Sequence, residues 1–276
     1  MLHFGLKPEA TALHDKVRVC AVSYLNTVPL VWGMLSGPQR GVFDLSFCVP
    51  SECADRLEDG TADIGIVPCA ELLKQRLEIV PGVGIASRGA VRSILLVSKT
   101  PFGQIGSVAT DSSSRTSVML TRIVLAQRYG VEPKLISMPP DLDAMLQAAD
   151  AALIIGDPAL RLDPSCLPYR VLDLGAEWDA LTGLPMVFAV WAGRSEVINE
   201  EVRRAFAGSC DYGLVRLEEI VAAEAPGRGV GEALAREYLS RHIVFKIGKE
   251  EEKGLERFLQ YAAGLPSVET LDRVSV

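Results

Sequence analysis

The chain contains the segment Val19-Cys20-Ala21-Val22-Ser23-Tyr24-Leu25-Asn26-Thr27-Val28-Pro29-Leu30, in which an apolar strand pattern is followed by polar residues and then by an apolar helical pattern. Proline is favoured in the first turn of a helix, so the helix is expected to begin near Pro29. Polar side chains at the carboxyl end of a strand, beside the start of a helix, form small-molecule sites in open α/β sheets. The segment therefore predicts an α/β sheet with a ligand site. An ordinary strand-to-helix turn, capped by Ser23 or Asn26, is the alternative.

Short apolar runs alternate with helical patterns on either side of this segment. The strand-like runs 17–22, 43–49 and 64–67 are each followed by a helical pattern, at 29–35, 51–59 and 69–75. This alternation is typical of a parallel sheet with crossover helices.

A second alternating block occupies the middle of the chain. It has strand patterns at 107–109, 134–137 and 151–155 and helical patterns at 115–129 and 141–147. We therefore predict an α/β protein with two lobes, each a mixed sheet flanked by helices. One lobe combines 17–97 with 190–276, and the other is the insert 98–189. The crossing strands near 97 and 190 are expected to act as a hinge, and 1–16 is expected to form a loose tail.

The overall composition excludes several classes of function. A net charge of -7 argues against nucleic acid as a partner, because neutralising phosphates requires a basic face. No uninterrupted apolar run is long enough to cross a membrane. Residues 1–16 lack the apolar centre of a secretory signal, so a cytoplasmic location is expected unless a leader was removed.

The cysteines and histidines do not have the spacing of a metal site. No C-x-x-C pair occurs, and we interpret the cysteines as reduced core residues. We therefore expect no metal and no cofactor. The residues concerned are Cys20, Cys48, Cys53, Cys69, Cys166, Cys210, His3, His14 and His242.

A hydroxyl-rich segment, 110–118, follows one strand pattern and opens a helix. Unpaired N–H groups and the helix dipole favour an anion at such a position. The alternative is that Ser113 or Ser114 only caps the helix, and the two interpretations are compatible. Ser93, at the expected first crossing, is either a ligand contact or an ordinary strand-edge hydroxyl.

Three other segments contain candidate polar residues. Asp63 begins a strand and is interpreted as a surface or turn carboxylate. Asp157 follows the strand pattern at 151–155 and is either a helix cap or a cleft residue. Thr182 and Gly183 lie in a Trp- and Pro-containing turn that could close over a ligand from the second lobe.

Several of these motifs occur together in one known family. S-Y-L-N-T-x-P-L at 23–30, S-R-T-S at 114–117, I-G-D-x-A-L at 155–160 and T-G-L-P at 182–185 occur in the family's order. The sequence from about Arg18 to about Phe258 thereby resembles the chorismate dehydratases of the futalosine route to menaquinone. The resemblance implies a type II periplasmic-binding-protein-like fold, a substrate carboxylate held by Ser114, Thr116 and Ser117, and an active site lined by Ser93.

The resemblance also implies the reaction, which is dehydration of chorismate to 3-[(1-carboxyvinyl)oxy]benzoate. The motifs offer Ser23, Asn26, Ser93 and Thr116, but no His, Lys or Glu. We hypothesise that Asn26 and Ser93 position the substrate and hydrogen-bond the leaving oxygen, while one of the substrate's own carboxylates accepts the ring proton.

Two other functions remain open at this stage. The first is a non-catalytic solute-binding protein for a small anionic metabolite, because this fold serves that purpose widely. The second is 1,4-dihydroxy-6-naphthoate synthase, which shares the fold but has a different opening motif. The oligomeric state is not determined by the sequence, and a homodimer is compatible with it.

Overall fold

The structure, a computed structural model, describes residues 16–265 of the 276-residue chain. Its strands are β1 (Arg18–Val22), β2 (Asp44–Cys48), β3 (Ile64–Pro68), β4 (Glu78–Ser87), β5 (Ile94–Ser98), β6 (Ser107–Asp111), β7 (Lys134–Met138), β8 (Ala151–Ile155), β9 (Arg170–Asp173), β10 (Met186–Gly193) and β11 (Val244–Lys246). Its helices are α1 (Val28–Ser36), α2 (Pro50–Glu58), α3 (Thr116–Val124), α4 (Leu142–Ala148), α5 (Gly156–Leu160), α6 (Leu174–Thr182), α7 (Glu200–Leu214), α8 (Leu217–Glu224), α9 (Glu232–Glu237) and α10 (Lys249–Ala263).

The first sheet has the strand order β11-β4-β10-β3-β1-β2. β1 pairs in parallel with β2 and β3, whereas β10 runs antiparallel to β3 and β4. Every residue of β3 is buried, as expected for a central strand covered on both faces. Helix α1, buried from Val28 to Met34, packs so closely on α7 that a Cβ at Gly213 would overlap the carbonyl oxygen of Pro29.

The second sheet has the order β7-β6-β8-β5-β9. β6 is parallel to β7 and β8, and β5 is antiparallel to β8 and β9. The predicted α/β class, with two mixed sheets flanked by helices, is confirmed.

The passages between the sheets differ from the predicted boundaries. The chain leaves the first sheet after Ser87 and enters the second at Ile94, then returns between α6 and Met186. Sheet pairing therefore assigns β5 to the second lobe and all of β10 to the first, and favours crossings at 88–93 and 183–185. The boundaries 17–97, 98–189 and 190–276 placed β5 and part of β10 in the opposite lobes, because an apolar pattern does not reveal a distant pairing partner.

Local patterns also missed several short elements. The helix expected at 69–75 is a 3-10 turn, Cys69–Leu73, and β9, α5 and α6 were not anticipated. β9 has four residues and α5 has five, too few to show a clear period. The predicted loose tail, 1–16, lies outside the described residues except for Lys16.

Between residues 16 and 265, no helix combines the length and the apolar character needed to cross a membrane.

Asp63 connects three neighbouring strands of the first sheet, β1, β3 and β10, at one end of those strands. The sequence predicts a surface or turn carboxylate, and Asp63 lies in the bend just before β3 but is buried, with an exposure of only 6%. Its carboxylate accepts hydrogen bonds from the backbone N–H and the guanidinium of Arg18, at 2.9 and 2.8 Å, and from Arg194 beyond β10. The hydrogen bonds from Arg18 hold the pKa of Asp63 below its ordinary value despite burial.

Replacing Asp63 with Asn should therefore destabilise the protein in a pH-dependent way. A carboxyl with a lowered pKa in the folded state stabilises the fold above its unfolded pKa, about 3.9, and loses that contribution as pH falls through the folded pKa. We expect Asp63→Asn to lower the free energy of unfolding by about 1–3 kcal/mol at pH 7. In urea titrations the difference in free energy of unfolding between the variant and the parent should shrink as the pH falls below about 4. A difference that stays constant with pH would contradict this account.

Candidate functional site

A cleft lies between the two sheets and encloses about 570 Å³ of space, counting the part open to solvent. Both sheets contribute to its walls through the ends of their strands. The lining residues are Val22, Tyr24, Asn26, Pro50, Ile66, Pro68, Ile85, Val91, Ser93, Ile94, Ser114, Thr116, Ser117, Ile155, Gly156, Phe188 and Ala189.

Asn26 and Ser93 meet in this cleft through a third residue, Tyr238. The Tyr238 hydroxyl, buried in the segment that extends α9, donates a hydrogen bond to Ser93 Oγ at 2.9 Å. Burial raises the pKa of Tyr238, while interactions with Ser93 and Asn26 oppose the rise, so the phenol stays protonated at neutral pH. The Oδ1 atom of Asn26 is buried and accepts no hydrogen bond from a described residue. Asn26 therefore has an acceptor ready for a ligand.

The position of Ser93 depends on a carboxylate beneath it. Asp173, which caps α6, accepts hydrogen bonds from the backbone N–H groups of Val91 at 2.9 Å and Arg92 at 2.6 Å. Arg92 adopts a left-handed conformation with φ of 67°, which is unfavourable for a residue with a side chain. Its guanidinium donates to the carbonyl groups of Ala159 and Leu162, so both ends of Arg92 are anchored. The crossing segment is thereby fixed immediately before Ser93.

Three hydroxyls of the second lobe gather at the start of α3. Ser114, Thr116 and Ser117 are buried and line the cleft. The first-turn N–H groups of a helix have no intrahelical acceptor, and the helix dipole favours negative charge there. This arrangement suits a carboxylate or another small anion.

The same helix start is bound directly to the first lobe. The backbone N–H of Ser51 donates to the Ser113 carbonyl at 3.1 Å, and the N–H of Ala70 donates to Thr116 Oγ1 at 3.2 Å. Arg115 pairs with Asp55 at 2.6 Å and with the buried Glu71 at 3.0 Å. These contacts span the cleft, so the structure has its two lobes closed on each other.

The opposite side of the cleft is bridged through Asp157. Its carboxylate accepts the backbone N–H of Leu25 at 2.9 Å and pairs with Arg228 at 2.8 Å, and Arg228 also donates to the Ser23 carbonyl. Asp157 thus holds the lobes together and does not itself line the cleft.

Tyr24 closes the cleft near this bridge. Its ring lies against Gly156, where a Cβ would come within 2.6 Å of the ring, and Gly156 has a φ of 62° that favours glycine. Burial raises the pKa of Tyr24 to about 12. No Asp, Glu, His, Lys or Arg is among the lining residues, so Tyr24 is the titratable group of the cleft wall.

The structure brings together five of the predicted site residues and places four elsewhere. Asn26, Ser93, Ser114, Thr116 and Ser117 line the cleft. Ser23 is exposed, and Asp157 bridges the lobes. Thr182 and Gly183 end α6: Thr182 Oγ1 donates to the Trp178 carbonyl, and Gly183 is the left-handed residue after the helix. The geometry gives these last two a structural part in the turn.

Tyr238 and Arg228 were missed by sequence reasoning. Tyr238 lies in a helical segment where a buried tyrosine is indistinguishable from an ordinary core residue. Arg228 follows α8 in an exposed-looking Pro-Gly-Arg-Gly turn. Each forms a hydrogen bond with a residue more than 60 positions away in the sequence. A local sequence pattern does not reveal such a contact.

A family model described as menaquinone biosynthesis matches residues 17–264. The chain belongs to this family. A chorismate dehydratase of Thermus thermophilus is 31% identical over 242 residues, which cover 81% of this chain and 88% of that protein. Three of the four motifs that suggested the family contribute residues that line or bridge the cleft, T-G-L-P at 182–185 being the exception, and the predicted family is confirmed.

Solved structures agree with this membership at the level of the fold. A protein from Archaeoglobus fulgidus superposes with a TM-score of 0.74 at 18% identity, covering 91% of this chain and 98% of the other. The periplasmic aliphatic sulphonate binding protein of Escherichia coli gives a TM-score of 0.59 at 15% identity, with 89% and 87% covered. The two-lobed periplasmic-binding-protein-like fold is thereby confirmed.

The ion pair between Arg115 and Glu71 should contribute measurably to stability. Glu71 is 1% exposed, and without Arg115 its remaining cation is Lys74 at 3.6 Å. Removing one partner leaves a buried charge, which is costly even where the intact pair is not strongly stabilising. We expect Arg115→Ala to lower the free energy of unfolding by about 1–3 kcal/mol in urea titrations.

A second substitution tests the cause of that loss. In the double variant Arg115→Ala/Glu71→Gln, the buried charge is also removed, so part of the stability should return. If the double variant is less stable than Arg115→Ala by the full cost of Glu71→Gln alone, the two side chains are energetically independent.

Proposed function

We propose that this protein is a chorismate dehydratase that acts in the cytoplasm, converting chorismate to 3-[(1-carboxyvinyl)oxy]benzoate as the first step of the futalosine route to menaquinone. The observation that carries the proposal is the convergence of the Asn26, Ser93 and S-R-T-S segments on one cleft without a charged side chain in its wall. Membership of the menaquinone biosynthesis family and the similarity to a chorismate dehydratase support it.

The cleft suits a flat, anionic ring. Its apolar walls, which include Ile66, Ile85 and Phe188, offer a dry surface to a cyclohexadiene. The start of α3, with Ser114, Thr116 and Ser117, supplies neutral donors for one carboxylate. Contacts between the lobes shield part of the site from water, and a hydrogen bond in such a low-dielectric environment is stronger than one in bulk water.

Asn26, Ser93 and Tyr238 act at the leaving hydroxyl. Since Ser93 Oγ accepts a hydrogen bond from the Tyr238 hydroxyl, its own hydroxyl proton is free to point to the substrate oxygen. The unpaired Asn26 Oδ1 accepts from the substrate hydroxyl in the ground state and fixes its position. As the carbon–oxygen bond breaks, the Ser93 donor stabilises the charge that develops on the departing oxygen.

The ring proton is transferred to the substrate itself. The wall of the cleft holds no carboxylate, imidazole or amine that could accept it. One substrate carboxylate takes the proton from the carbon that bears the enolpyruvyl ether, and the freed electron pair forms the new ring double bond. The carbon–oxygen bond breaks and the hydroxide takes up the proton that the substrate carboxylate accepted, so that one water is lost and the ring becomes aromatic.

Three glutamates that could act as bases in a similar pocket have other partners here. Glu52 pairs with Arg56, and Glu71 with Arg115. Glu177 pairs with Arg128 and accepts a hydrogen bond from Tyr129. None of them lines the cleft, so their part is structural.

Incubation of the purified protein with chorismate tests the function directly. The parent should produce an aromatic compound, followed by ultraviolet absorption and mass. In Asn26→Leu, turnover should fall by about 100-fold or more, whereas chorismate affinity measured calorimetrically should change far less.

Glu177→Gln is the matched control and should retain parental turnover. A parent that binds chorismate without converting it would indicate a solute-binding protein instead. Unchanged turnover in Asn26→Leu would refute the part assigned to that residue while leaving the overall reaction intact.

Tyr238→Phe tests the positioning of Ser93. Loss of the phenol oxygen frees Ser93 to rotate, so kcat should fall by roughly 10- to 100-fold, less than the loss of a direct donor, with little change in KM. Tyr212→Phe, which removes an exposed hydroxyl bonded to the Ser36 carbonyl, should leave kcat unaltered. Equal losses of kcat in both variants, or a change confined to stability, would contradict a positioning part for Tyr238.

A further inference from the structure

Three cysteines converge beside β1, at the outer end of the first sheet. Cys20 lies in β1, Cys48 ends β2, and Cys53 lies in α2. Their Sγ atoms are 3.0 Å apart for Cys20 and Cys48, 3.1 Å for Cys48 and Cys53, and 3.3 Å for Cys20 and Cys53. The three sulfurs therefore form a nearly regular triangle.

The other cysteines of the described chain do not cluster. Cys69 and Cys210 are fully buried with no second thiol beside them, and Cys166 is exposed. Isolated buried cysteines such as these behave as small apolar side chains. Three sulfurs directed to one point, from three separate elements, form instead the donor set of a soft metal ion.

The triangle is shielded from solvent and has one arginine beside it. Cys20 and Cys53 are fully buried and Cys48 is 8% exposed. The Arg56 guanidinium donates to Ser46 Oγ on β2 at 3.3 Å and pairs with Glu52 at 2.5 Å. Three thiolates around a divalent ion carry one net negative charge, and Arg56 is the nearby cation that could interact with it.

The triangle lies near the edge of the first sheet. β2 is the edge strand of that sheet, and Phe47 and Val49, on either side of Cys48, are exposed. The strand that carries Cys48 therefore borders solvent.

We propose that Cys20, Cys48 and Cys53 form a binding site for one thiophilic d10 metal ion, Zn²⁺ or Cu⁺. Binding releases the three thiol protons and forms three metal–sulfur bonds, with no change in oxidation state. The spacing of these residues in the sequence did not predict the site, because Cys20 is separated from Cys48 by a whole helix and turn.

The site would tie the segments that build one wall of the catalytic cleft. Val22, two residues beyond Cys20, and Pro50, two beyond Cys48, both line the cleft. Ser51 and Asp55, on either side of Cys53, contact the second lobe. A bound metal would thus stabilise the first lobe at the place where the second closes on it.

Titration of the reduced full-length protein with Cd²⁺ tests the proposal, because cadmium–thiolate bonds give an ultraviolet charge-transfer band. We expect one Cd²⁺ per chain, a band intensity corresponding to three thiolates, and displacement of any bound Zn²⁺ by the softer Cd²⁺. Which of the two natural ions is preferred follows from metal analysis of the protein isolated under reducing conditions. A parent protein that develops no such band, and retains no metal after gel filtration, would overturn the proposal.

Matched variants locate the site. Cys53→Ala should weaken Cd²⁺ binding by at least about 10-fold, the lower limit for loss of even an outer partner, whereas Cys210→Ala, at an equally buried cysteine, should not change it. If Cys53→Ala does not fold, alkylation mapped by mass in the parent replaces it: Cd²⁺ should slow labelling of Cys20, Cys48 and Cys53 but not of Cys69 and Cys210. Protection at other cysteines, or equal effects of the two substitutions, would contradict the site.

Discussion

The carboxylate of Asp173 fixes the geometry on which the catalytic cleft depends. It accepts N–H groups from Val91 and Arg92 at one end and from Gly175 and Ala176 at the start of α6 at the other. A single half-buried acceptor thus ties the passage between the two sheets to the helix that leads back. The left-handed conformation of Arg92 is tolerated because its backbone N–H and its guanidinium both form hydrogen bonds. These contacts fix the backbone that leads into Ser93.

The electrostatics of the cleft follow from what surrounds it. The charged side chains near the rim of the cleft form ion pairs that join the lobes. These pairs are Arg115 with Glu71 and Arg228 with Asp157. The wall itself is left with hydroxyls, an amide and apolar side chains. Such a site binds an anion through oriented neutral donors, which keep their strength in a low-dielectric enclosure and need no proton transfer of their own.

The separation of ion pairs at the rim from neutral donors in the wall explains how a fold shared with binding proteins can support an elimination reaction. Closure of two lobes on a ligand requires only contacts across a cleft, whereas catalysis requires donors aimed at the atom where charge develops. In the proposed reaction the donor is Ser93, oriented by Tyr238, and the driving force comes from formation of an aromatic ring. The protein therefore contributes position and enclosure more than acid–base strength.

The sequence by itself determined the α/β class, the central strands and the motifs of the menaquinone biosynthesis family, because these depend on local hydrophobic periodicity and on residue order. It also indicated Asn26, Ser93, Ser114, Thr116 and Ser117 as site candidates, largely through the resemblance to that family, and these five residues line the cleft. Only the tertiary structure decided which sheet β5 and β10 join and that Asp157 bridges the lobes. It also decided that Thr182 and Gly183 serve a turn, that Tyr238 contacts Ser93, and that three cysteines form a triangle. The physical reason is that each of these depends on contacts between residues far apart in the chain, which periodicity and spacing do not encode.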